Sequence, residues 1–152
     1  MFVTGYDENV VKSAREVFTR EFTARGVNKV EVRQFLDDEK LRYESGDLIP
    51  LAEEYDLLIY APYLPHGWGT EFVGNAFRTM AFSMRYGKEK SIAVSLGSPH
   101  LYFDYFQQAD TYINLYSPNE ESIVAFVKGL YGELPFEGKS QFELIPDFAK
   151  AF

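Results

Sequence analysis

The sequence contains no cysteine. That excludes a disulfide scaffold, a thiolate-ligated zinc site and a thiol nucleophile. It has only two histidines, His66 and His100, so imidazole metal ligands and general bases are scarce. Basic residues are short too: 15 Lys and Arg stand against 23 Asp and Glu, for a net charge of -8. A phosphate backbone or an anionic membrane would be repelled on average, so neither is an expected partner. No apolar run reaches the roughly 18 residues that span a bilayer. Met1-Phe2-Val3-Thr4-Gly5 has neither the basic nor the long apolar region of a signal peptide. What is abundant is aromatic surface, 17% of 152 residues, with 14 Phe and 11 Tyr. A chain of this length reads as one domain, residues 1–152, that buries a core without staples.

Short β-rich runs alternate with helical stretches. Met1 to Thr4 reads as a strand, and Asp7 to Arg25 as a helix stopped by Gly26. In that helix Val10, Val11, Ala14, Val17, Phe18 and Phe22 recur at helical spacing. Val30 to Phe35 alternates as a second strand. Asp37 to Gly46 is polar loop, and Leu48 to Glu54 a short helix. The apolar run Asp56 to Ala61 suits a strand buried on both faces. Thr70 caps a helix to about Arg85. Ser91 to Leu96 is another buried strand, Leu101 to Gln107 a short helix, and Thr111 to Leu115 a strand. Ser117 as N-cap and Pro118 at the first helical position open a helix to about Tyr131. A last strand is expected around Phe142 to Ile145. Strands alternating with helices predict an α/β, three-layer sandwich: a mostly parallel five- or six-stranded sheet, helices on both faces, flavodoxin-like. Ligands of such sheets bind beyond the carboxyl ends of the strands, here Gly5 to Asp7, Pro62 to Gly69 and Gly97 to His100.

Several fragments of known motifs fall short of completion. Gly5-Tyr6-Asp7 has the place of a phosphate loop, but its acids repel phosphate, and Asp7 or Asn9 serves better as a helix cap. Gly67-Trp68-Gly69 starts a dinucleotide fingerprint that Phe72 breaks, and Gly138-Lys139-Ser140 lacks the earlier glycine of a phosphate loop. Ala93-Val94-Ser95-Leu96-Gly97 echoes a nucleophile elbow, with His100 beyond the same strand end. The plainer reading is a strand serine. The adjacent acids Asp37-Asp38, Glu53-Glu54 and Glu120-Glu121 diverge in direction and read as solvated surface. The unusual stretch is Tyr60 to Gly69, which puts Tyr63, His66 and Trp68 at the predicted carboxyl edge. Such rings stack on a sugar, dock a partner domain, or tuck onto the core.

The second half carries a resemblance. Ile92-Ala93-Val94-Ser95-Leu96-Gly97-Ser98-Pro99 resembles a strand end found in the C-terminal domain of glycoside hydrolase family 3. Ala109 to Tyr116 is similar to the strand that follows there, and Ala125 to Glu133 to the helix and its Gly-Glu ending. Pro135 to Lys139 also matches, but continues Ser140-Gln141-Phe142 where the family usually has Leu-Pro-Val. Residues 1 to 90 agree mainly in strand–helix rhythm. The bacterial β-N-acetylhexosaminidase (β-N-acetylglucosaminidase) branch is the most similar.

The resemblance implies an α/β domain that follows a TIM barrel of about 300 residues. In that family the barrel carries the aspartate nucleophile and, in this branch, the histidine-based acid/base. No catalytic residue of the family maps onto this chain. Retaining hydrolysis needs nucleophile and acid/base together, so the chain alone is expected to be inactive, without metal or cofactor. The expected role is accessory: bracing the barrel, its partner, with Tyr63, His66 and Trp68 lining the sugar cleft or the domain interface. An N-acetylglucosamine-containing glycan is the implied ligand. A strand at the first residue suggests a piece of a larger hydrolase, extracellular if the parent is secreted and cytoplasmic if the chain is complete. The alternatives are a stand-alone sugar-binding module and a small flavodoxin-like or serine-hydrolase enzyme.

Overall fold

The structure, a computed structural model, describes residues 1–5, 7–27, 29–35, 54–65, 90–100 and 109–139. Within them the order is β1 (Phe2–Gly5), α1 (Glu8–Ala24), β2 (Arg33–Phe35), β3 (Leu58–Tyr63), β4 (Ser91–Ser95), β5 (Tyr112–Asn114) and α2 (Glu120–Leu130). The strands hydrogen-bond in the order β2-β1-β3-β4-β5, and every pair is parallel. This is the expected α/β alternation with a parallel sheet.

α1 forms because its apolar residues recur on one stripe: Val11, Ala14, Val17, Phe18 and Phe22 are all buried. Asp7 caps it, its carboxylate accepting from the N–H groups of Asn9 and Val10 at 2.9 and 3.2 Å. Gly26 ends it at φ 75°. Its N–H donates to Thr23 O, and that of Val27 to Phe22 O, the paired bonds of a Schellman turn. Both caps agree with the sequence reading.

The α1 stripe lies on one sheet face. Val3, Ile59, Ala61, Val94 and Leu96 form a single cluster with it and with Ile123, Phe126 and Val127 of α2. Phe18 stacks on Phe22 at 6.4 Å and meets Phe126 edge-on at 6.1 Å and 86°. Both described helices therefore share one face. The alternate residues of β3, Leu58 and Tyr60, are also buried, at 3% and 1% exposure, so β3 is covered on both sides.

Several boundaries differ from the sequence reading: β1 is Phe2–Gly5 rather than Met1 to Thr4, β4 stops at Ser95 rather than Leu96, and four others follow. β2 spans Arg33–Phe35 rather than beginning at Val30. β5 is Tyr112–Asn114, one residue shorter at each end than expected. β3 lies two residues later, because Pro62 continues it: a proline lacks only the donor, and the Pro62 carbonyl accepts from Leu96 N–H at 3.0 Å. The N-cap of α2 is Asn119, not Ser117. Its Oδ1 accepts from Ser122 N–H at 2.9 Å, while Ser117 Oγ accepts from Asn119 N–H at 3.2 Å. Pro118 thus stands outside the helix. The loop expected at 37–46, the helix expected at 48–54 except for Glu54, and the elements expected at 70–85, 101–107 and 142–145 lie outside the described residues.

The helix ends are clamped together. Arg25, whose side chain is 14% exposed, donates to Glu133 at 2.7 and 3.0 Å and to the Glu21 carboxylate at 2.9 Å. These bonds to Arg25 hold both carboxyls below the usual glutamate range. A depressed carboxyl pKa stabilises the fold above its unfolded value and loses that contribution as pH falls through the folded value. An Arg25→Met variant is therefore expected to be less stable than the parent near neutrality. The gap in urea midpoint should narrow on acidification below about pH 4.5, the ordinary value. A gap that stays constant down to pH 3 would disconnect the clamp from stability.

Candidate functional site

The carboxyl edge is where a doubly wound sheet usually works, and here it is bonded to itself. β4 ends at Ser95, and residues 96–100 turn across the edge. Leu64 O accepts from Ser98 N–H at 2.8 Å. A Cβ on Gly97 would stand 2.2 Å from that same Leu64 oxygen, so only glycine lets the turn approach β3. A Cβ on Gly5 would stand 2.7 Å from Tyr63 O and 2.8 Å from Tyr63 Cβ. Tyr112 Oη donates to Pro99 O at 3.1 Å, and Leu115 N–H to Ser95 O at 2.9 Å. At the end of β5, Asn114 Oδ1 is a buried acceptor without a hydrogen-bond donor among the described residues.

Ser95 is fully buried. Its hydroxyl donates to Ser98 O at 2.6 Å and accepts from Gly97 N–H at 3.3 Å. A serine has one hydroxyl proton, and here a carbonyl holds it, so no base can take it in this arrangement. Ser95 is a turn-fastening residue, as its strand position implied. Ser95→Ala is expected to cost about 1–3 kcal/mol, because it leaves buried backbone groups without their partner; urea denaturation measures this. A fluorophosphonate should leave the chain unlabelled.

Of the three residues singled out at this edge, Tyr63 ends β3 half-buried and packs against the core cluster. A Cβ on Gly97 would also come within 3.4 Å of the Tyr63 Cδ2. His66 and Trp68 lie outside the described residues.

The amino edge holds a group that sequence reasoning did not bring together, having read only Glu54, as solvated surface. Lys29 forms an ion pair with Glu54, and its ammonium lies 4.6 Å over the Tyr55 ring. The Tyr55 hydroxyl donates to the Glu31 carboxylate. The Glu31 bond raises the Tyr55 pKa, and the Glu54 bond raises that of Lys29. These residues border a cavity of about 350 Å³ whose apolar lining includes Phe22, Val30, Ile59 and Tyr131. A second hollow, of about 600 Å³, lies between β5, α2 and the 134–139 segment. Among the described residues no group of three or more His, Asp or Glu side chains is placed to hold a metal ion. No described helix is long and apolar enough to cross a membrane. Comparison with protein-family models, curated proteins and solved structures found no match for this chain.

Proposed function

We propose that this chain is a non-catalytic α/β domain of a glycoside hydrolase resembling family 3, in the β-N-acetylhexosaminidase branch. It braces a TIM-barrel partner and contributes to the rim of a cleft for an N-acetylglucosamine-containing glycan. The proposal includes a three-layer, flavodoxin-like sandwich. The strand order 2-1-3-4-5 supports it, being a common doubly wound order. So does the burial of Leu58 and Tyr60 on the face that α1 and α2 leave uncovered.

The observation that carries the functional reading is the state of the Ser95–Pro99 turn. The residues that bear the family resemblance here do structural work. Ser95 fastens the turn, and Gly97 lets it close on Leu64. A turn built this way organises an edge for something docked on it and performs no bond cleavage itself.

The test is twofold. The purified chain is expected to release no p-nitrophenol from p-nitrophenyl N-acetyl-β-D-glucosaminide. Co-expressed with the barrel of a bacterial family 3 hexosaminidase, it is expected to co-purify and to raise the barrel's thermal midpoint. Turnover by the chain alone, abolished on replacing one of its own acids, would overturn the reading. So would a barrel indifferent to its presence.

A further inference from the structure

The amino edge, opposite the edge discussed above, combines an apolar centre with an acidic border. Val27, Leu57 and Tyr131 are 36%, 41% and 44% exposed, and all three line the same 350 Å³ cavity as the buried Phe22 and Ile59. Large side chains left open around a concavity mark an interaction surface more often than scattered ones do. The border is charged with one dominant sign. Glu31, Glu54 and Asp56 line the cavity beside Lys29, and Arg25 sits 5.5 Å over the Tyr131 ring between Glu21 and Glu133. Three carboxylates of the lining thus face one side-chain cation, while Glu21, beyond the lining, is shared by Arg20 and Arg25. Lys29 is committed to Glu54, and Arg25 to its two glutamates.

We propose that this amino-edge concavity is a docking site for a protein segment that presents aliphatic side chains between Lys or Arg residues. The apolar centre takes the aliphatic anchors, as desolvated pockets at interface centres do. The acidic border selects and orients the cations. A second copy of this chain is a poor occupant, because a two-fold contact would set one acidic border against another. The site is independent of the proposed sugar cleft, which lies at the other edge.

Fluorescence anisotropy with a labelled short peptide of alternating Lys and Leu tests this on the full chain at low salt. The Lys–Leu peptide should saturate at one per chain. It should bind at least about tenfold more tightly than a Lys–Ser or a Glu–Leu peptide. Val27→Gln with Leu57→Gln should weaken Lys–Leu binding about fivefold or more and leave Lys–Ser binding unchanged. Asp56→Lys, at an exposed position of the border, should weaken it as well. Equal affinity for Lys–Leu and Lys–Ser would mean attraction to the net charge alone and would overturn the site. So would indifference to these substitutions, or a concentration-dependent dimer in sedimentation that Leu57→Gln abolishes. Because the readout needs no sugar or barrel, its failure leaves the proposed glycosidase role unaffected.

Discussion

Phe18→Ala should remove about 3–5 kcal/mol of folding stability, the usual loss when a buried aromatic ring is cut to a methyl group. Phe18 is fully buried and touches both helices, stacked on Phe22 and edge-on to Phe126. Its ring is the joint through which α1 and α2 share the sheet face. Little else can collapse into the vacancy, since Val3, Ile59 and Val94 belong to a sheet held by backbone bonds. Against a total of roughly 5–15 kcal/mol for a domain of this kind, that loss leaves a marginal fold. Urea denaturation should show a much lower midpoint with an unchanged slope. A loss under about 1 kcal/mol would mean that α1 does not seat as described.

Gly97→Ala should be the second most damaging single change. The added carbon would lie 2.2 Å from Leu64 O and 2.9 Å from Leu64 C. Both are main-chain atoms, and they belong to the carbonyl that accepts from Ser98 N–H. Nothing flexible can swing aside. Either the turn lifts and loses that bond with those of Ser95, or the end of β3 moves. Overpacking typically costs about 1–3 kcal/mol, and the lost bonds add to it. Gly138→Ala is the internal control: its Cβ would meet nothing within 4 Å, and the change should stay within about 0.5 kcal/mol. A thermal melt of the two variants side by side decides the matter. Equal midpoints would sink the close-approach account.

Local rules were legible where one residue decides one bond. Asp7 as cap, Gly26 as stop and the stripe from Val11 to Phe22 follow from short-range chemistry, and so does the parallel sheet implied by the run Asp56 to Ala61. Where two local solutions competed, sequence chose the wrong one. Ser117-Pro118 and Asn119 can each start a helix, and the choice of Asn119 is visible only in the bond to Ser122. The apolar run was read as ending at Ala61, yet Pro62 continues the strand through its carbonyl. Two features had no sequence signal. The need for glycine at 97 depends on where residue 64 puts its oxygen. The group of Lys29, Glu31, Glu54 and Tyr55 depends on pairing stretches about 25 positions apart. Of the edge residues chosen for their rings, Tyr63 is half-buried against the core cluster. His66 and Trp68, like the helices expected at 70–85 and 101–107, fall outside the described residues.

The position of β1 inside the sheet governs how the newborn chain must behave. β1 precedes both of its sheet neighbours in the chain, and the second of them, β3, begins only at Leu58. The α1 stripe waits longer still, because its cover is Phe126, and the Arg25–Glu133 clasp joins positions 108 apart. Phe18 and Phe22 are thus translated more than a hundred residues before Phe126 completes their shelter. Contacts of such long range slow folding and expose sticky surface meanwhile. During synthesis the α1 stripe therefore lacks its α2 neighbours until the last described helix has been made.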